Sequence, residues 1–187
     1  MRHLHFGKLF FVVFSLLLAY TVSARKPIKT LLITGQNNHN WQVSHVVLKQ
    51  ILENSGRFDV DFVISPEQGK DMSGFVLDFS PYQLVVLDYN GDSWPEETNR
   101  RFLEYVQNGG GVVIYHAADN AFSKWPEFNR ICALGGWEGR NENSGPYVYW
   151  KDGKLVKDSS AGPGGSHGRQ HEYVLNGRDK VHPVVKG

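Results

Sequence analysis

The order of apolar and amphipathic segments constrains the fold of this chain more than any other feature of its sequence. Apolar side chains recur at helical spacing in residues 43–52 and again in residues 99–106. Four short aliphatic segments have the length and composition of buried strands, and they span residues 30–34, 58–64, 84–87 and 112–115. Strand, helix, strand, occurring twice, is typical of a parallel sheet covered on both faces. The sequence therefore predicts an α/β fold, specifically a flavodoxin-like doubly wound parallel sheet.

The ends of the two helices also carry signals. Gly56 follows the first helix, as expected where a helix stops. Ser93 is the predicted N-cap of the second helix, with Pro95 near its first turn and two glutamates just inside. Asn108-Gly109 is expected to end that helix before the fourth strand.

The character of the sequence changes from Gly135 onward, where Gly, Asn, Ser and Pro dominate. Within this Gly-rich C-terminal region, residues 147–156 predict a hairpin that turns at Asp152-Gly153. A further short strand is expected around residues 172–175. The chain reaches Gly187 without another helix or strand to finish the sheet, so we expect the domain to be truncated at its C-terminus.

Residues 1–24 have the three parts of a secretory signal peptide. Arg2 and Lys8 give a basic start, residues 9–19 are almost entirely apolar, and residues 22–24 are small enough for a signal peptidase. A transmembrane anchor is the alternative, but spanning a bilayer takes about 20 apolar residues, which exceeds this segment. We expect cleavage after this segment and export of a soluble domain, residues 25–187, to the periplasm or the medium.

The net charge of the chain does not indicate a polyanionic partner. The predicted signal peptide holds two of the 20 Lys and Arg residues and none of the 19 Asp and Glu residues, so the formal charge is +1 for the chain and −1 after cleavage. Neither value indicates a nucleic acid or an anionic membrane as partner.

Two kinds of chemistry have little support in the sequence. Cys132 is the single cysteine, so no disulfide can form within the chain, and its apolar neighbours indicate a packing role, not a nucleophile. Gly109-Gly110-Gly111 precedes a strand instead of opening a helix, so it lacks the context of a phosphate-binding loop.

Polar residues follow three of the predicted strands. In open parallel sheets, ligands bind beyond the carboxyl ends of the strands, where the strand order reverses. The loops expected there span residues 35–41, 88–92 and 116–120. We predict that their polar and aromatic side chains bind substrate, and the candidates are Asn38, Trp41, Asp88, Asn90 and Asp119. Trp41 has an alternative role as the first residue of the inner helix face.

Two histidines are candidate catalytic residues at this edge. His116 directly follows a buried strand, at a strand-to-helix turn that displays the nucleophile in several hydrolases. His39 lies in the first loop among asparagines. Histidine acts as an acid or a base near neutral pH. The alternatives are that His116 caps a turn and that Asn38 or Asn40 caps the first helix, leaving His39 without a role.

The Gly-rich region adds candidates of a different kind. His167 and His171 are four residues apart, a spacing that brings two rings together on a helix and suits zinc or another divalent metal. The surrounding glycines weaken the helical interpretation. Glu172 is a further candidate acid or base, with a solvated surface charge as the alternative.

The chain from about residue 28 onward resembles the trehalose-utilisation (ThuA-like) family, whose fold is similar to class I glutamine amidotransferases. The matching segments are residues 31–41, 109–122, 164–174 and 182–187. The resemblance implies a role in sugar metabolism and site positions at His39, His116, His167 and His171. His116 stands where amidotransferases carry a catalytic cysteine, so glutamine hydrolysis is not implied. Family members continue beyond His182-Pro183.

The leading hypothesis is an exported enzyme that hydrolyses or rearranges a glycoside or keto-sugar by histidine-centred acid/base chemistry, with or without a divalent metal. One alternative is a non-catalytic sugar-binding module of the same fold. A second is an inactive scaffold domain. No carboxylate pair of the kind used by glycosidases is evident in the sequence, which keeps the binding module open.

Overall fold

The structure is a computed structural model, and it describes residues 26–133, 135, 145–164, 168–177 and 179–185. Four strands form an all-parallel sheet in the order β2-β1-β3-β4. Their bounds are β1 Ile28–Thr34, β2 Phe58–Ile64, β3 Leu84–Leu87 and β4 Gly111–Ile114. All four strands agree with the sequence prediction to within two residues.

Three α-helices and one 3₁₀ helix connect and cover these strands, namely α1 Trp41–Asn54, α2 Glu96–Gln107, the 3₁₀ helix His116–Asn120 and α3 Pro126–Cys132. Alternate residues of β1 belong to different hydrophobic clusters, because successive side chains of a strand point to opposite faces. Leu32 packs with α1 on one face, whereas Ile33 packs with α2 and α3 on the other. The predicted α/β class is confirmed.

The larger cluster is rich in aromatic rings. Phe102 of α2 is fully buried there, with ring centroids 5.5 Å from Phe79, 5.7 Å from Trp94 and 6.5 Å from Phe128. Burial of aromatic side chains is among the largest favourable contributions to folding. This cluster therefore holds α2 and α3 against the sheet and fixes the loops that leave β3 and β4.

The predicted N-cap of α2 is wrong. The helix begins at Glu96, and the residue before it is Pro95, whose side chain has no atom that could accept a capping hydrogen bond. Ser93 lies two residues further back, too early to accept a hydrogen bond from the first helical N–H groups. Glu96 and Glu97 occupy the first turn, where their charge is favourable to the helix dipole.

The Gly-rich region contains the predicted hairpin and lacks the predicted strand. β5 Tyr147–Lys151 pairs antiparallel with β6 Lys154–Asp158 across Asp152 and Gly153, both of which have positive φ. The strand expected at residues 172–175 is wrong, because this segment is exposed and irregular. Its apolar side chains resemble a strand pattern, but a strand also needs a neighbour that pairs with its backbone.

The predicted signal peptide lies outside the described residues. Among the helices that are described, none combines the length and the apolar character needed to cross a bilayer.

Candidate functional site

The strand order places a ligand-binding crevice at a defined point of the sheet. β1 pairs with β2 on one side and with β3 on the other. The connection after β1 therefore runs to one side of this strand, and the connection after β2 crosses to the other side. Loops that diverge at such a point leave a crevice beyond the carboxyl ends of the strands. In this chain the crevice lies between the ends of β1 and β3.

His39 and His116 meet at this crevice. Their ring centroids are 4.6 Å apart and their planes are tilted by 43°. Both rings line a cleft of about 330 Å³, whose other lining residues are Asn37, Asn40, Val43, Ser44, Val47, Asp88, Tyr115 and Ala117. Two loops that are far apart in sequence thus present two imidazoles to one space.

The backbone at His116 is strained. Its φ is +48°, in the left-handed region that is uncommon for residues other than glycine, although asparagine, aspartate and histidine adopt it more often than the rest. The residue ends the extended backbone after β4 and begins the 3₁₀ helix, in which Ala117 and Ala118 are buried. Strained residues of this kind cluster at functional sites, so the observed φ favours the functional interpretation of His116.

The first loop is held in place by a tight approach to the β2 end. Gly35 has φ +121°, and a Cβ there would lie 2.5 Å from the backbone nitrogen of Ser65. Gln36 is buried, and its side-chain nitrogen donates to the carbonyl of Pro66 while its oxygen accepts from the Asp92 N–H. Gln36 therefore ties the loop after β1 to the segments that follow β2 and β3.

Asp88 is the buried carboxylate of the site. It is 1% exposed and accepts hydrogen bonds from Thr34 of β1, Asn37 of the first loop and Ser44 of α1. Burial raises the pKa of Asp88 above its ordinary value, against the opposing effect of these hydrogen bonds. The geometry makes Asp88 an anchor for the His39 loop and α1, since three donors already occupy its oxygens.

The raised pKa of Asp88 predicts a pH dependence of stability. Between the unfolded pKa, near 3.8, and the higher folded pKa, the folded state binds more protons than the unfolded state. The stabilisation that the protonated Asp88 side chain contributes to the folded state is therefore present below the unfolded pKa. It is lost as the pH rises through the folded pKa. Urea unfolding of the wild type and Asp88→Asn at a series of pH values should show the wild type losing stability relative to the variant as pH rises; the opposite trend would contradict this environment for Asp88.

Three of the predicted site residues therefore come together in the cleft, and they are His39, Asp88 and His116. Asn38 and Asn90 contact each other beside it, where the Asn90 amide donates to the Asn38 oxygen at 3.4 Å. Trp41 is the first residue of α1, with its ring 5.9 Å from that of His45.

Asp119 takes a different position from the one expected of a substrate ligand in the His39–His116 cleft. It lies on the 3₁₀ helix, is not among the residues that line this cleft, and its charge acts on the Cys132 thiol. Asn40 precedes α1 as predicted for a cap, but its side chain makes no capping hydrogen bond.

The candidates from the Gly-rich region do not join this cleft. His171 and Glu172 are exposed in an irregular segment, and a ring nitrogen of His171 lies 2.9 Å from the carbonyl of Arg169. His167 falls outside the described residues. Within the described part of the chain, no group of three or more His, Cys, Asp or Glu side chains is placed to hold a metal ion. The divalent metal remains a prediction.

Sequence reasoning missed Gln36, Asn37, Ser44 and Tyr115. Gln36 and Asn37 lie in a loop without periodicity, so nothing distinguishes them from other polar loop residues. Ser44 carries a usable signal: it lies in the first turn of a helix that starts at the carboxyl edge of β1. Tyr115 was assigned to the fourth strand, whereas it lies one residue beyond β4 and lines the cleft.

Cys132 is the last residue of α3, and burial, together with the charge of Asp119, raises the pKa of its thiol to about 12. Because the thiolate is the reactive form, we expect labelling by a disulfide reagent at pH 8 to be on the order of a thousandfold slower in the folded protein than in guanidinium chloride. Stopped-flow absorbance measures both rates. Equal rates would show that the thiol is accessible and ionised in the folded state.

Comparison with known proteins gives no assignment: no protein-family model matches the chain, and no curated protein matches it significantly.

Proposed function

We propose that this chain is an exported enzyme of carbohydrate metabolism, which hydrolyses or rearranges a glycoside or keto-sugar by acid/base catalysis at His39 and His116. The approach of the two rings to 4.6 Å in a cleft at the switch point of the sheet carries the proposal. Histidine changes charge between pH 5 and 8, so one ring can accept a proton while the other donates one.

The two imidazole rings share the proton transfers of this reaction. The neutral imidazole accepts a proton from water or from a substrate hydroxyl, and the protonated imidazole donates one to the departing or rearranging oxygen. Asp88 does not take part in proton transfer in this scheme. It holds the His39 loop and the start of α1 through its contacts with Asn37 and Ser44, which fixes the approach of His39 to His116.

The same proposal includes a flavodoxin-like topology for the sheet and a family for the chain. The order β2-β1-β3-β4 corresponds to the first four strands of the flavodoxin-like order 2-1-3-4-5, which supports that topology. We assign the chain to the ThuA-like family, with a fold similar to class I glutamine amidotransferases. Histidine, not cysteine, follows β4, so the proposal does not include glutamine hydrolysis. Export rests on residues 1–24 alone.

A non-catalytic sugar-binding module is the second candidate, and one observation favours it. Asp88 is the carboxylate that lines the cleft, and its oxygens already accept three hydrogen bonds. It is therefore poorly placed to act as one of a pair of reacting carboxylates. Under this hypothesis the cleft binds the hydroxyl groups of a sugar, and the protein catalyses no reaction.

A substrate panel separates the two candidates. Purified protein is incubated with glycosides and keto-sugars, with and without added zinc, and the products are analysed by chromatography and mass spectrometry. A new product supports the enzyme, and a requirement for zinc supports the metal predicted at His167 and His171. Binding of a sugar without any product would instead support the binding module.

A further inference from the structure

Three asparagines of the chain are followed directly by glycine, and they are Asn90, Asn108 and Asn176. In such a pair the glycine nitrogen can attack the side-chain carbonyl carbon of the asparagine and close a five-membered succinimide ring. Glycine has no Cβ to hinder this approach, and its backbone turns readily toward the asparagine side chain. The structure places the three pairs in very different surroundings, which determine where the ring can close.

The end of α2 holds the pair at Asn108. Asn108 directly follows this helix, and its N–H donates to the carbonyl of Glu104 at 3.0 Å. The nitrogen that would have to attack belongs to Gly109, and its N–H donates to the carbonyl of Val106 at 3.0 Å. Ring closure at Asn108 therefore requires the last turn of α2 to open first.

Gln36 holds the pair at Asn90. The Asn90 N–H donates to the Gln36 carbonyl at 2.8 Å, and the Asp92 N–H donates to the Gln36 side-chain oxygen at 2.7 Å. Gly91 lies between these two hydrogen bonds, and a Cβ built on it would be 2.2 Å from the same side-chain oxygen. The backbone of this loop therefore cannot turn toward the Asn90 side chain unless the buried Gln36 moves.

The pair at Asn176 has none of these restraints. Asn176 and Gly177 are both exposed in the irregular segment that follows His171, and neither forms a hydrogen bond with another described residue. Apart from the adjoining residues, no atom of the described structure lies within 4 Å of a Cβ built on Gly177. The preceding Leu175 is 84% exposed. Ring closure at Asn176 therefore needs no local unfolding.

We propose that Asn176 is the site of spontaneous deamidation in the folded protein. The Gly177 nitrogen forms a bond to Cγ of Asn176 and gives up its proton, and the side-chain amide leaves as ammonia. Water then opens the succinimide at either carbonyl, which yields aspartate or isoaspartate. Each product carries one more negative charge than asparagine, and isoaspartate also lengthens the backbone by one carbon. No step involves His39 or His116, so the proposal is independent of the proposed function.

Incubation of the full chain at pH 8 and 37 °C in oxygen-18 water tests this site, because the water that opens the succinimide labels the new carboxyl group. Trypsin then releases the three asparagines on separate peptides, residues 71–100, 102–124 and 170–178, for tandem mass spectrometry. We expect label at Asn176 to appear at least about tenfold faster than at Asn90 or Asn108. Those two sites must first break hydrogen bonds, and a cost of about 1.4 kcal/mol slows a reaction tenfold.

Two controls separate the effect of the structure from that of the sequence. In guanidinium chloride the three sites should label at similar rates, because only the shared Asn-Gly sequence then acts. Asn176→Gln should remove the label from peptide 170–178 and leave the other two peptides unchanged, since the longer side chain closes a six-membered ring far less readily. The proposal is overturned if Asn90 or Asn108 labels as fast as Asn176 in the folded protein, or if Asn176 acquires no label.

Discussion

Replacement of His116 by asparagine should reduce turnover of the substrate identified in the panel by about 10²- to 10⁴-fold, the usual contribution of a general acid or base. Asparagine tolerates the positive φ at this position better than alanine does, so the variant tests the imidazole and not the backbone. The loss should fall mainly on kcat, because the imidazole transfers its proton in the transition state and contributes little to substrate binding.

The matched control is His182→Asn. His182 is exposed in the C-terminal segment and accepts a hydrogen bond from the Val184 N–H. We expect wild-type turnover from this variant, measured in the same steady-state assay. His116→Asn with wild-type kcat and an intact circular dichroism spectrum would remove the catalytic role of His116, and with it the acid/base proposal.

Phe102→Ala should lower the free energy of unfolding by about 3 to 5 kcal/mol, the cost of deleting a fully buried aromatic ring. Phe102 is 0% exposed and lies within 6 Å, centroid to centroid, of both Phe79 and Trp94. Rigid aromatic neighbours cannot collapse readily into the space, so a cavity remains. For a chain of this size the expected fall in Tm is about 6 to 20 °C.

Phe62→Ala is the corresponding control on the opposite face of the sheet. Phe62 is 47% exposed at the edge strand β2, with its ring 5.2 Å from that of His45. We expect a loss of about 1 kcal/mol, because part of the ring stays in water in the folded state. Urea unfolding of both variants at one pH gives the comparison. A loss at Phe102 no larger than at Phe62 would contradict the aromatic core described above.

The sheet was predictable because hydrophobic periodicity is a local property. β2 and β3 have the predicted bounds, and the hairpin turns where Asp152-Gly153 indicated. The N-cap was less predictable. The position at which α2 begins depends on the conformation of the loop around Pro95, and the local sequence pattern at Ser93 does not determine that conformation. The segment around Glu172 failed for a related reason, because strand formation depends on a partner strand that sequence alone does not identify.

The site was predictable in outline. Polar residues after β1, β3 and β4 indicated a binding edge, and parallel strands have their carboxyl ends at the same edge, so His39 and His116 were both expected there. The role of Asp88 was not foreseeable. Contact of Asp88 with substrate stays a prediction, and its hydrogen bonds come from Ser44 and Asn37, which lie on elements whose relative placement depends on tertiary packing.

The pairing of β1 also has a consequence for how the chain folds during synthesis. Thr30 lies beside Val60 on one side and Leu84 on the other. The first neighbour of β1 is therefore synthesised 30 residues after it and the second neighbour 54 residues after it. At ribosomal speeds of about 5–20 residues per second, the later partner emerges roughly 3 to 11 s after β1. Until then one edge of β1 is unpaired, and loop closures of this length make sheet formation slow compared with that of a hairpin.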